Sequence, residues 1–160
     1  MKETHKKGYY LGNLYPIVVR VDACTIKNSI EFDGDQFIVK TSPEADFDLE
    51  LLLKQFYIRA LNKLLDKRLK HYQALMKVKY KCFSIETHPQ RWGSCSSTKQ
   101  LTFHWQLAMF QLKAIDYVIV HELCHTVHLN HDRSFWRLVG KYCPDYKQIM
   151  PMLGTEKTRT

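Results

Sequence analysis

Hydrophobic positions along the chain fall into three stretches of different period. In the first, residues 9–42, they form short β-branched and aromatic runs at 15–21, 29–32 and 36–40, separated by turn residues such as Asp33-Gly34-Asp35. Ile30 and Phe32, then Phe37 and Val39, alternate with polar neighbours around that Asp-Gly, which predicts a hairpin with one covered face. Thr41-Ser42-Pro43 and the acidic residues that follow read as a turn and the negative first turn of a helix. Over 46–72 the spacing changes to threes and fours through Leu49, Leu52, Leu53, Phe56, Tyr57, Ala60, Leu61, Leu64, Leu65 and Leu69, predicting one long amphipathic helix.

The third stretch, 82–153, predicts strands at 82–87 and 100–104 on either side of 89–97, where Gly and Ser suggest a bend or an irregular strand. A helix is expected from 112 to about 129, with Ile115, Val118, Ile119, Leu123 and Val127 as its buried stripe. Asp132 is placed to cap another helix through Phe135, Trp136, Leu138 and Val139, and Pro144 to open a short last one. Strands followed by helices, without an internal repeat or flexible linker, make this an α+β chain expected to form one domain over 1–160.

Composition narrows the class. With 45% apolar and 25% charged residues the chain is globular, which excludes collagen-like, low-complexity and largely disordered readings. No window approaches the roughly 20 apolar residues of a membrane span and no secretory signal is visible at the N-terminus, so no membrane partner is expected. Five scattered cysteines (Cys24, Cys82, Cys95, Cys124, Cys143) without a C-x-x-C pair suggest neither a disulfide framework nor a zinc ribbon, and fit a reducing cytoplasm. Lys plus Arg exceed Asp plus Glu by 24 to 16, a formal +8. Nine of those cations against the single Asp66 lie between Lys54 and Lys81. Arg59, Lys63, Lys67 and Lys70 on the polar side of the long helix are therefore either a solvated face or contacts for a polyanion such as nucleic acid.

The chemistry concentrates in His121-Glu122-Leu123-Cys124-His125, an H-E-x-x-H pattern inside a predicted helix. At 100° per residue the two histidines stand about 40° apart and about 6 Å along the axis, so both imidazoles can meet one ion. Ile115, Ile119, Val120, Leu123 and Val127 occupy the opposite arc, which makes one face core and the other ligand-bearing. His131 follows ten residues after His121, the ligand spacing of metzincin-type zinc sites. A continuous helix would carry it about 15 Å up the axis, so the chain must turn first, and Asn130 is a credible left-handed turning point. His128 is the rival third ligand, about 10.5 Å along the same helix, or else a second-layer hydrogen bond, a substrate contact or a surface residue. Asp132, Asp145 and Glu156 are weaker carboxylate candidates. Three neutral imidazoles leave one tetrahedral position of a single Zn²⁺ for water, and Glu122 beside them can manage the water's proton. Cys124, between the ligands, reads as buried packing, and Cys82 and Cys95 as structural, since nothing sets a base beside either.

Arg91-Trp92-Gly93-Ser94-Cys95-Ser96, Leu101-Thr102-Phe103-His104-Trp105, residues 115–125, Asn130-His131 and Phe135-Trp136 together resemble the YgjP-like metal-dependent hydrolases, which are similar to the SprT and WLM metallopeptidase groups. The resemblance runs from about Tyr9 to Tyr146. It implies a zincin-like fold, a small twisted sheet against an active-site helix, with zinc on His121, His125 and His131 and Glu122 catalytic. It also brings the strand at 100–104 near the cleft, where a substrate backbone could add as a further strand. Arg91 and Trp92 either line that cleft or, for Trp92, seal the core beneath the metal. The implied activity is zinc-dependent hydrolysis, foremost of a peptide or protein substrate. A UTP-type nucleotide pyrophosphatase is the alternative, and a nucleic-acid-associated module with a structural metal is a third reading.

Overall fold

The computed structural model describes residues 2–87 and 91–154, with the side chains of residues 2–5 left aside. Among the described residues, seven strands and four helices form two small sheets and a helical layer. In the first sheet β1 (Lys2–Tyr10), β2 (Asn13–Val21), β3 (Ser29–Phe32) and β4 (Phe37–Thr41) lie in the order β1-β2-β4-β3. The predicted hairpin is β3–β4, antiparallel, with Ile30 opposite Val39 and Phe32 opposite Phe37. Asp33 closes its turn by accepting the amides of Asp35 and Gln36, both at 3.0 Å, while Gly34 takes φ 108°.

The strand region begins earlier than residue 9, at Lys2. Its N-terminal sequence lacks apolar alternation because β1 is an edge strand held by main-chain pairing to β2, and lysine-rich edges of this kind deter unwanted pairing. Leu11 (φ 47°) and Gly12 (φ 86°) turn β1 into β2 with both central residues at positive φ, as a two-residue hairpin loop requires.

The long helix α1 (Leu49–Met76) sits three to four residues later than the 46–72 expected. Asp48 supplies the cap, its side chain accepting the Leu51 amide, and Lys77 in the left-handed conformation ends the helix. Leu52, Tyr57, Leu61, Leu65, Leu69 and Met76 are its buried face. Arg68 leaves the cationic side to grip Asp116 through two hydrogen bonds, Nε to Oδ1 at 2.7 Å and Nη2 to Oδ2 at 2.5 Å, tying α1 to the next helix.

The second sheet contains β5 (Cys82–Glu86), β6 (Gly93–Cys95) and β7 (Gln100–His104) in the order β5-β7-β6, with β7 parallel to β5 and antiparallel to β6. The 100–104 strand is therefore central. Both its edges are occupied, so a substrate backbone cannot add to it, and the free edges belong to β5 and β6. A 3-10 turn (Trp105–Met109) leads into α2 (Leu112–Cys124).

Helix α2 stops at Cys124, five residues short of the end expected near Leu129. The Thr126 hydroxyl donates to the Leu123 carbonyl at 2.6 Å and the Thr126 amide folds onto the same oxygen, which tightens the chain out of the α-helical path. Val127, assigned to the buried stripe, is consequently 54% exposed. Asn130 is not the left-handed turning point, since only Leu11, Lys77 and Lys99 among the described non-glycine residues have positive φ. After the turn come α3 (Arg133–Tyr142), capped by Asp132 as expected, α4 (Tyr146–Ile149) just past Pro144, and a 3-10 turn, Met150–Leu153. Leu61, Leu65 and Leu69 of α1, Leu101 and Phe103 of β7, Ile115 and Ile119 of α2, and Phe135 and Val139 of α3 join one buried cluster that includes Phe37 and Val39 of the first sheet. All five cysteines are free, and no helix among the described residues is long and apolar enough to cross a membrane.

Candidate metal centre

Helix α2 is buried on nearly every side, with Ala114, Ile115 and all residues from Tyr117 to Cys124 inside. Its last turn carries His121 and Glu122, and His125 follows as its C-cap. The short turn then reverses the chain, and Asp132 fixes the start of α3 by accepting the Phe135 amide at 2.9 Å. That cap sets His131, one residue earlier, over the end of α2. The ring nitrogens converge: Nε2 of His131 lies 3.0 Å from Nε2 of His125 and 3.1 Å from Nε2 of His121.

The far sides of two rings are held. Nδ1 of His125 lies 3.0 Å from the His128 carbonyl, which can only accept, so the proton sits on Nδ1 and Nε2 presents a bare lone pair. Nδ1 of His121 lies 3.3 Å from the Tyr117 hydroxyl. Beneath the three imidazoles, the fully buried Phe135 ring sits with its centroid 4.6–5.0 Å from each of theirs, and Trp136 stacks on His131 at 5.9 Å. Burial, with its two histidine neighbours, drives His121 down to about 3, and burial also lowers His125 and His131. All three are neutral near pH 7, the form in which imidazole binds a metal.

Glu122 is 2% exposed, and its Oε2 has no hydrogen-bond partner among the described residues. Burial pushes its carboxyl up to about 8 against the opposing pull of the Arg91 guanidinium. Arg91 Nη2 stands 3.7 Å from Glu86, while its buried Nε has no partner among the described residues. Tetrahedral ligands about 2.0–2.1 Å from zinc stand about 3.4 Å from one another, close to the two spacings found here. Three neutral nitrogens at that separation, with an orphaned carboxylate oxygen beside them in sequence, fit a divalent metal such as zinc.

The structure brings together His121, His125 and His131 and sets Arg91 close enough to act on Glu122. The helical position assumed for His128 does not exist, because α2 ends before it; its contribution to the cluster is a main-chain carbonyl. Trp92 is 6% exposed, donates its indole N–H to the Leu153 carbonyl and packs edge-on against His104 and Phe110, so it belongs to the core. Asp132 is used as a cap, Asp145 lies at the start of α4, and Glu156 is outside the described residues. Cys124 is buried as expected, whereas Cys82 is exposed. Cys95 does have a base nearby, the Glu122 carboxylate, but burial and that charge push the thiol up to about 11, away from the reactive thiolate. Arg59, Lys63, Lys67 and Lys70 stand exposed along α1; Lys70 pairs with Asp66 at 2.8 Å, Arg59 reaches the Ile30 carbonyl, and no hydrogen bond or ion pair among the described residues ties any of them to the histidines. Tyr117 and Phe135 were not singled out from sequence as site residues. Tyr117 left one usable signal, its place four residues before His121 on the same helical face.

A family profile described as YgjP-like, metallopeptidase domain, matches residues 2–155 of this chain. Among solved structures, the crystal structure of the metallopeptidase zymogen of Pyrococcus abyssi abylysin is similar at a TM-score of 0.51 and 16% identity, covering 59% of this chain and 98% of that one. No curated protein matches significantly.

Proposed function

Since the chain belongs to the YgjP-like metallopeptidase family, we propose that it hydrolyses peptide bonds with His121, His125 and His131 holding one zinc ion and Glu122 acting as general base. The observation that carries this reading is the meeting of three Nε2 atoms, two of the spacings being 3.0 and 3.1 Å, beside a buried glutamate with an unpartnered oxygen. When bound there, zinc supplies Lewis acidity, polarising a carbonyl and making water more acidic. The chain supplies the rest. The His128 carbonyl accepts the Nδ1 proton of His125, which bares its Nε2, and the Tyr117 hydroxyl meets Nδ1 of His121, so the orientation of both rings is fixed. Phe135 and Trp136 keep water from the back of the cluster. Glu122 takes a proton from the attacking water and returns it to the amine nitrogen as the peptide C–N bond breaks. Arg91 moderates the cost of a buried negative charge at that carboxylate.

Acyl chemistry is favoured over phosphoanhydride hydrolysis because the three histidines are the one candidate metal-binding cluster found among the described residues, with no group of carboxylates of the kind that holds Mg²⁺. The test is Glu122→Gln alongside His131→Ala, with zinc content and hydrolysis of quenched-fluorescent casein measured for both. The first variant keeps its zinc and loses at least about 100-fold in turnover; the second loses zinc. Casein hydrolysis that survives Glu122→Gln, or equal zinc content after His131→Ala, overturns the assignment.

A further inference from the structure

Glycine packs nothing in a strand and pays more chain entropy than any other residue to be there, so a strand glycine calls for a reason. Gly93 opens β6. Its backbone gives none, because positive φ is confined to Gly12, Gly34 and Gly154 among the glycines. Space gives one. A Cβ placed on Gly93 would stand 2.8 Å from Oε1 of Glu122, 2.9 Å from its Cγ and 3.1 Å from its Cδ, and these are the three nearest atoms. Two of those separations are shorter than non-bonded carbon contacts tolerate. Glu122 is itself only 2% exposed, and Ile119 and Leu123, both fully buried, hold its helix in place.

The neighbouring positions agree. Gly93 and Cys95 share one side of β6, and the Cys95 thiol and the Arg91 charge, two residues before the strand, both interact with the Glu122 carboxylate. We propose that Gly93 is a positioning residue for Glu122: its missing side chain is the notch that seats the carboxylate between β6 and α2 and so fixes where the general base stands. This rests on the role given to Glu122 above.

A thermal-stability cycle on the metal-free protein tests the seat without using activity. Gly93→Ala lowers Tm by about 5 °C in the wild-type background, as overpacking at a site that cannot relax does. In a Glu122→Ala background the same substitution lowers Tm by less than about 1 °C, because the added methyl enters vacated space. Equal losses in both backgrounds overturn the proposal, since Gly93 then serves the strand and not the carboxylate. If Gly93→Ala alone does not fold, recovery of a folded double variant supports the seat and continued failure overturns it. On casein, Gly93→Ala retains zinc and KM while kcat falls about 100-fold, the cost of a general base displaced by about an ångström. Gly140→Ala in α3, whose Cβ would meet Tyr146 at an ordinary 3.5 Å, does not lower Tm and leaves kcat unchanged. Full activity in Gly93→Ala beside an inactive Glu122→Gln removes the notch and leaves the base; activity in Glu122→Gln removes the base itself.

Discussion

Tyr117, His121 and Glu122 put three titratable groups in the buried C-terminal half of α2, and burial raises Tyr117 and Glu122 while it lowers His121. His121 titrates near 3 in the folded chain, below its usual 6.5, so the stability tied to its neutral form is complete above pH 6.5 and is lost as pH falls toward 3. Glu122 titrates near 8, above its usual 4.5, so its contribution is complete below pH 4.5 and is lost as pH rises through 8. The metal-free protein is therefore squeezed from both sides. Urea unfolding of the metal-free wild type and Glu122→Gln between pH 5 and 9 will show the variant gaining on the wild type as pH rises; parallel curves would mean that the carboxylate is not buried as described. At this scale the approach of His121 to His125 was legible in sequence, because one helical turn fixes their relation whatever surrounds it. Gly93 was not, because its reason lies across space in Glu122 and leaves no periodic trace.

The elements meet at the junction of α2 and α3. Thr126 ends one helix by taking the Leu123 carbonyl, and Asp132 starts the next by taking the Phe135 amide. The five residues between Thr126 and Asp132 include His131, so its position depends on where both helices terminate. Asp132→Ala should cost about 1 kcal/mol in unfolding free energy, the usual worth of an N-cap. It should also weaken zinc binding, as read by competition with a chromophoric chelator, because His131 loses its anchored neighbour. Unchanged affinity would show that packing on Trp136 alone holds the ring. Asp132 as a cap was readable from its place before an apolar periodic run. The end of α2 was not: the apolar spacing continues through Val127, while the Thr126 hydroxyl and amide both turn onto the Leu123 carbonyl as the helix ends. Strand β1 was hidden for a related reason, since an edge strand held by main-chain bonds needs no apolar alternation.

Across the whole molecule, a net charge of +8 is distributed unevenly, with Arg59, Lys63 and Lys67 exposed along α1 while Arg68 is drawn inward to Asp116. A surface of that kind attracts polyanions by releasing their counterions. Binding to single-stranded DNA should fall at least about tenfold between 50 and 200 mM salt, while hydrolysis of an uncharged peptide changes less than about twofold; a steep salt dependence of that hydrolysis would place the cationic surface in the substrate path. Sequence by itself determined the three histidines, the adjacency of Glu122 to His121, the amphipathic α1 and the β3–β4 hairpin, because each follows from covalent neighbourhood and local period. Tertiary structure decided the rest. Where α2 stops, how His131 returns over it, which strand lies at the sheet's edge and what space Gly93 leaves open all depend on contacts between residues far apart in the chain, whose partners no local pattern records.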